Sequence, residues 1–199
     1  MENFLNGEVY CKSIDYFTES ESKDLRGDKY EGSAYLKQIK NLTFKHEGNV
    51  FASALSGQLY GRNPKEKGNI FCLYGISSDH IDFENKTTQK LNVDIDGVSF
   101  ADTAVLIYDP IEFIRRVEKV VQNMGFECDF SPVIYYDEKS YEGELTPFHK
   151  RMEYKSQSEV RFWIPNKLEG DLRINIGNIS DISGIFPKEM MTKLDCEPL

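Results

Sequence analysis

The sequence lacks the patterns that identify a metal site, a disulfide framework or a catalytic nucleophile. It has only three histidines, which lie far apart in the chain, so we predict no metal. It has no G-x-S-x-G elbow and no glycine-rich phosphate loop. Its four cysteines show neither metal-ligand nor redox-motif spacing, and we expect them to be reduced: Cys11, Cys72, Cys128 and Cys196.

Basic residues are outnumbered by acidic ones. The 199 residues contain 24 Lys and Arg against 33 Asp and Glu, which gives a net charge of -9. We see no local basic patch, so direct nucleic-acid binding is not expected, whereas a basic protein or nucleoprotein complex is a suitable partner. No apolar run approaches the ~20 residues of a membrane span, and the N-terminus lacks the features of a signal peptide. We therefore expect a cytoplasmic protein that does not bind membranes.

The apolar patterns that are present predict an α+β fold. Residues 1–199 suit a single globular domain. Runs such as NIFCLYGI and TAVLIYD indicate strands buried on both faces, and NLTFKHEG followed by NVFASALSG indicates a hairpin turning at Glu47 and Gly48. We expect six to eight strands in a mixed, mostly antiparallel twisted sheet, with two to four helices.

One helix is marked at both ends. Asp109 is a suitable N-cap, Pro110 fits the first helical position, Glu112 completes a capping-box pattern, and Gly125 ends the helix. The residues with helical spacing predict its buried stripe: Ile111, Ile114, Val117, Val121 and Met124.

The segment YKSQSEVRFWIP combines a core pattern with polar chemistry. With a period of two, Val160, Phe162 and Ile164 point to one side, and Glu159, Arg161 and Trp163, the only tryptophan, point to the other. A carboxylate oriented by a guanidinium suits stabilisation of a cationic transition state, and an indole can stack on a base. Lys150, one short segment earlier, is a further candidate ligand-binding residue. The alternative is a salt bridge on a solvated sheet face.

An N-terminal cluster of charged and aromatic residues is a second candidate. Within residues 15–31, Arg26 and Asp28 are predicted to bind a polar ligand, and Tyr16 or Tyr30 to act as a stacking surface. The alternative is a solvated turn held by weak local ion pairs.

The order of these pieces resembles an uncharacterised family of bacterial and phage proteins found near mobile elements and defence genes. The resemblance spans residues 7–185 and rests on YFTESESKDLRGDKYEG, IFCLYGI, DPIEFIRRV, VIYYD, the lysine of FHK (Lys150), SEVRFWI and LRINIGNISDI.

The order also resembles that of ADP-ribosyltransferases, in which a glutamate on a late strand stabilises a positively charged ribose. The resemblance implies that NAD is the cofactor, that Glu159 has this role beside Arg161, and that Tyr16 or Tyr30 lies near the nicotinamide. The serine–threonine strand motif of those enzymes is absent from this sequence.

A non-enzymatic function is the alternative, namely inhibition of a host defence protein through acidic surface patches. Residues 127–144 contain six acidic residues and one lysine. Glu138, Glu142 and Glu144 are the candidate partner-binding residues of this stretch.

Overall fold

The protein folds as a mostly antiparallel α+β structure, as the sequence predicts. The computed structural model describes residues 2–19, 28–62, 67–82, 84–94 and 102–197. Strand pairs in these ranges are antiparallel except for one parallel pair, between residues 134–136 and 149–151. This parallel pair is a separate two-stranded sheet, and the central sheet is wholly antiparallel. The mostly antiparallel strands confirm the predicted α+β fold class.

The described ranges contain three α-helices, two short 3₁₀ helices and fourteen strands, several of only two or three residues. The helices are α1 (Glu2–Leu5), α2 (Ile14–Glu19) and α3 (Pro110–Asn123), with 3₁₀ helices at Met152–Gln157 and Lys188–Lys193. The strands are β1 (Glu8–Ser13), β2 (Ser33–His46), β3 (Asn49–Arg62), β4 (Gly68–Tyr74), β5 (Gln89–Lys90), β6 (Thr103–Ile107), β7 (Asp129–Pro132), β8 (Ile134–Tyr136), β9 (Gly143–Glu144), β10 (His149–Arg151), β11 (Glu159–Pro165), β12 (Leu172–Asn175), β13 (Ser183–Pro187) and β14 (Asp195–Cys196).

The central sheet has five strands in the order β12-β1-β4-β11-β7. Strand β11 pairs along its length with β4 and is bordered on its other edge by β7. Helix α3 covers one face of the sheet, where Phe162 and Ile164 are fully buried against its apolar residues. Helix α2 contributes Ile14 to a smaller apolar cluster on the other face. Both faces of β11 are consequently covered.

Helix α3 begins as predicted, because the Asp109 carboxylate accepts a hydrogen bond from the Glu112 N–H at 2.9 Å. Its buried stripe differs from the prediction. Phe113, Val117 and Val121 face the core, whereas Ile111 and Met124 are exposed. The stripe of Phe113, Val117 and Val121 has the same helical period as the predicted stripe. It is rotated around the helix axis so that Phe113 is buried, and the phenylalanine ring buries a larger apolar surface.

Strands β2 and β3 form the predicted hairpin, and they are longer than expected, with fourteen residues each. Glu47 and Gly48 both have positive φ angles, as a two-residue type I′ turn requires. Strand β9 pairs with β2 only at Tyr35 and Leu36. We call residues 33–62 the finger, whose tip is the turn at residues 47 and 48 and whose base lies beside β9.

One local prediction needs correction. Strand β6 is half-buried and belongs to a two-stranded sheet, so TAVLIYD is not a strand buried on both faces. Among the described residues, no helix is long and apolar enough to cross a membrane.

Candidate functional site

Glu159 lies at the start of β11 with both carboxylate oxygens held by cations. Lys150 Nζ donates to Oε1 at 2.6 Å, and Arg161 Nε donates to Oε2 at 2.7 Å. The Lys150 ammonium is buried and also donates to Gln157 Oε1 at 2.6 Å. The Glu159 side chain keeps 12% of its surface exposed, so it is oriented from within the protein and still reaches solvent.

Arg161 extends this arrangement into a chain of alternating charges. Its side chain is 2% exposed, and its guanidinium donates to Glu31 Oε1 at 2.6 Å and to Glu31 Oε2 at 3.1 Å. The carbonyl of Pro147 accepts a further hydrogen bond at 2.6 Å. The chain of contacts from Glu31 through Arg161 and Glu159 to Lys150 therefore contains two acidic and two basic side chains. Its net charge is zero. Good geometry and full pairing are the conditions under which buried charges are tolerated. The solvated sheet face considered as an alternative does not occur.

The charges of the two cations determine the protonation of Glu159. Burial by itself raises the pKa of this carboxyl group, but Arg161 and Lys150 outweigh that effect and lower the pKa to about 2. Glu159 is consequently ionised at neutral pH and is a poor acceptor of protons. It can stabilise positive charge electrostatically, but it is not suited to act as a general base.

Asp28 and Tyr30 belong to a neighbouring cluster around Arg151. Arg151 Nη2 lies 3.1 Å from Asp28 Oδ1, and the guanidinium is 5.1 Å from the Tyr30 ring centroid. Tyr30 stacks on Tyr60 with a centroid separation of 3.7 Å. The structure thus places Asp28 and Tyr30 in packed, charge-paired surroundings. Arg26 lies outside the described residues.

Trp163 takes no part in the polar arrangement. Its indole is buried with Ile14 and Ile70 in the small apolar cluster on the α2 side of the sheet. Gly68 is required beneath it, because a Cβ on that residue would lie 2.4 Å from Trp163 Cη2. The indole therefore closes the end of the β4–β11 pair.

Tyr16 and Glu159 line the same cleft, which we call the aromatic cleft. It has a volume of about 400 Å³. Four further aromatic rings line it, together with Lys12, Gln157 and apolar residues of β4: Tyr10, Phe17, Phe71 and Tyr74. Lys12 Nζ lies 4.2 Å from the Tyr16 ring centroid. The cleft thus combines stacking surfaces with one cation and one ionised carboxylate.

Cys72 also lines the aromatic cleft, and it is not activated. Burial raises the pKa of its thiol well above the usual range, and the nearby Glu159 carboxylate raises it further. Cys72 therefore remains a protonated packing residue, and the aromatic cleft contains no cysteine nucleophile.

A second cleft, of about 510 Å³, shares Tyr74 and Glu159 with the first. Within it, the Ser77 N–H donates to His80 Nδ1 at 3.0 Å, so neutral His80 carries its proton on Nε2. His80 Nε2 lies 2.8 Å from the Tyr74 hydroxyl oxygen, and its N–H donates a hydrogen bond to that oxygen. This leaves the hydroxyl proton of Tyr74 available as a donor at the place where the two clefts meet.

The three acidic residues proposed for partner binding lie beside the base of the finger. Glu138 is 3.3 Å from Arg151 Nη1, and the Glu142 carboxylate accepts from the backbone N–H of Gln38 at 3.1 Å. Glu142 and Glu144 are exposed, whereas Glu138 is only partly so. Glu138 and Glu142 line one cleft beside the base, and Glu144 lies on β9, which pairs with the base.

Several contributors to the site have no recognisable sequence signal. Glu31 is 130 positions from Arg161 in the sequence. The hydroxyl oxygen of Tyr135 accepts a hydrogen bond from the backbone N–H of Glu159 at 2.8 Å. Their roles depend on tertiary packing. In the described ranges, no group of three or more His, Cys, Asp or Glu side chains is arranged to hold a metal ion.

Comparison with protein-family models, curated proteins and solved structures found no match for this chain.

Proposed function

We propose that the protein binds a nicotinamide nucleotide of the NAD type in the aromatic cleft. The observation that carries this proposal is that an ionised, oriented Glu159 and the ring of Tyr16 line one cleft. The oxidised nicotinamide ring is flat and positively charged, so it suits aromatic stacking beside a carboxylate. The positively charged ammonium of Lys12 can pair with the negatively charged phosphate of the nucleotide.

The size of the aromatic cleft limits which part of the ligand it holds. About 400 Å³ is near the lower end of the range for small-molecule sites. We assign the nicotinamide mononucleotide half to the cleft and place the remainder of a dinucleotide outside it. Lys12 is already 2.9 Å from Asp171 Oδ2, so phosphate binding requires it to share that contact.

The chemistry that such a site supports is ADP-ribosyl transfer or NAD cleavage. As the bond between nicotinamide and ribose breaks, nicotinamide leaves with the bonding electron pair and positive charge develops on the ribose. A fixed carboxylate stabilises that charge. Because its pKa is about 2, Glu159 would act electrostatically, and another group or water must take the proton of the acceptor. The setting of host–phage or mobile-element conflict rests on the family resemblance alone.

Binding of nicotinamide mononucleotide is expected to weaken about tenfold in Tyr16→Ala and in Glu159→Gln, since each change removes roughly one stacking or charge interaction. Isothermal titration calorimetry measures the affinity. Tyr16 is 42% exposed, so its replacement is expected to leave the fold intact. Glu142→Gln removes an exposed carboxylate from another surface and serves as the control.

Unchanged affinity in both variants would remove the proposed site. Turnover is measured separately as nicotinamide released from NAD. Release by the wild type that is lost in Glu159→Gln supports a transferase or hydrolase. Binding without release supports a nucleotide sensor that uses the same cleft.

The second candidate function is binding of a basic host protein through the acidic residues at the base of the finger. The observation that favours it is the exposure of Glu142 and Glu144, which lie beside that base. The partner class is a basic protein or nucleoprotein, because opposite charge accelerates encounter and fixes orientation.

Charge reversal tests this second function. The triple variant Glu138→Lys, Glu142→Lys and Glu144→Lys is expected to lose salt-sensitive capture of a basic partner from host extract. The matched control reverses Glu118, Glu189 and Glu197, which lie elsewhere in the sequence. Equal capture by the two triple variants would exclude the acidic surface as the binding site.

A further inference from the structure

The finger has one guarded edge and one open edge. In the three-stranded sheet β3-β2-β9, the outer edge of β2 is covered at its base by β9, and its exposed stretch carries Lys37, Lys40 and Lys45. Among the described residues, β3 pairs with β2 alone. Fourteen residues of β3 therefore form an edge at which the backbone can accept another strand.

The composition of β3 is unusual for an exposed edge. Residues 49–61 include no charged side chain and no proline. Natural edge strands are normally protected from pairing by lysine, proline, short length or a covering segment. The first three protections are missing from residues 49–61, while the neighbouring strand of the same finger has the lysines. The open edge is thus distinguished from β2 by its sequence as well as by its position.

Large apolar side chains on β3 are left in solvent. Phe51 is 82% exposed, Leu55 is 87% exposed and Leu59 is 55% exposed. They are spaced four residues apart, and Leu55 is at the middle of β3. Single exposed apolar residues are common on protein surfaces, but three at regular spacing on an unprotected edge indicate a contact surface.

Their spacing is symmetric about Leu55, so a second copy of the chain fits this edge in a self-complementary register. When two β3 strands pair antiparallel about a two-fold axis at Leu55, Leu55 faces its own counterpart. Phe51 of each copy then faces Leu59 of the other. Self-complementary pairing of this kind is what an isologous two-fold interface requires.

The charges of the finger and of the rest of the chain are also complementary. Residues 33–62 contain four basic residues and one acidic residue, a net charge of +3, so the other 169 residues carry -12. Antiparallel pairing places the tip of one finger, with Lys45, near the base of the other. Glu138 and Glu142 border that base together with Gln58. Opposite charges are brought together, and the two basic tips are kept apart.

We propose that the protein forms a two-fold symmetric dimer in which the β3 strands of two fingers pair antiparallel, centred on Leu55. Backbone hydrogen bonds join the strands, the apolar side chains pack across the seam, and the basic tips meet the acidic bases. This dimer uses neither the aromatic cleft nor Glu159, so its test does not depend on the nucleotide-binding proposal.

Sedimentation equilibrium of the full chain tests the proposal. The wild type is expected to reach about 46 kDa, twice the chain mass of 23.0 kDa, as concentration rises. Leu55→Lys places two like charges at the axis and is expected to weaken association at least 100-fold. Thr43→Lys adds the same charge to β2, on the guarded strand of the same finger, and is expected to leave the dimer close to wild type.

Cross-linking tests the register. In Leu55→Cys the two introduced thiols face each other, so mild oxidation is expected to join the copies rapidly, whereas Thr43→Cys is expected to react slowly. A wild type that stays monomeric to about 200 μM would overturn the proposal, and so would a dimer that Leu55→Lys does not weaken. A monomer that instead binds nucleic acid or vesicles through the finger would overturn it as well.

Discussion

Arg161→Met is expected to lower the free energy of unfolding by about 3–5 kcal/mol. This is the usual cost of removing one partner of a buried ion pair, because the other charge is left buried without compensation. The guanidinium is 2% exposed and satisfies Glu31, Glu159 and the carbonyl of Pro147. Methionine fills a similar volume but leaves one carboxylate of the buried chain without a partner and the other with only Lys150. Urea unfolding followed by circular dichroism measures the change.

Arg116→Met is the matched control for this prediction. Arg116 also contacts two carboxylates, those of Glu112 and Asp181, but it does so at the protein surface. Surface ion pairs contribute at most about 1 kcal/mol, so the control is expected to lose much less stability. Comparable losses in the two variants would mean that the buried chain of charges is no more important to folding than a surface pair.

Lowering the pH is expected to reduce the free energy of unfolding, because Glu159 becomes protonated. The largest contribution of this group is about 3 kcal/mol. The pKa of this carboxyl group is lowered from 4.5 to about 2 in the folded protein. A lowered carboxyl pKa means that the unfolded chain binds the proton more readily. The stabilisation is therefore fully present above pH 4.5 and is lost as the pH falls towards 2.

The pH dependence of the unfolding free energy in Glu159→Gln isolates this contribution. The variant is expected to be less stable than the wild type at pH 7, and the difference between them is expected to shrink as the pH falls from about 5 to 2. Glu142→Gln, which changes an exposed carboxylate, is the control and is expected to follow the wild type closely. A constant difference between Glu159→Gln and the wild type across this range would show that the ion pairs do not depress this pKa.

Local signals were sufficient for much of the fold. The Asp109 cap and the Pro110 start define α3 because capping depends on neighbours within three residues. The turn at Glu47 and Gly48 defines the hairpin for the same reason. The buried face of α3 was predicted less well, since several stripes have helical spacing and the choice among them depends on which residues the sheet presents.

The candidate site could be predicted only in part. The alternation in β11 places Glu159 and Arg161 on one side, but it does not show that this side is covered. Alternation is typical of strands with one wet face, whereas β11 is enclosed on both. Coverage depends on Glu31 and on the segment that supplies Lys150. Their proximity arises from tertiary packing, which a single sequence does not reveal.

The most direct test of the central claim, that nicotinamide nucleotide binds in the aromatic cleft, is NMR of the protein with labelled tyrosine rings. On titration with nicotinamide mononucleotide, we predict that the ring signals of Tyr10, Tyr16 and Tyr74 shift together. Tyr30 and Tyr60, stacked in the neighbouring cluster, should keep their positions. Shifts confined to the Tyr30–Tyr60 pair, or no shifts at saturating ligand, would contradict the claim.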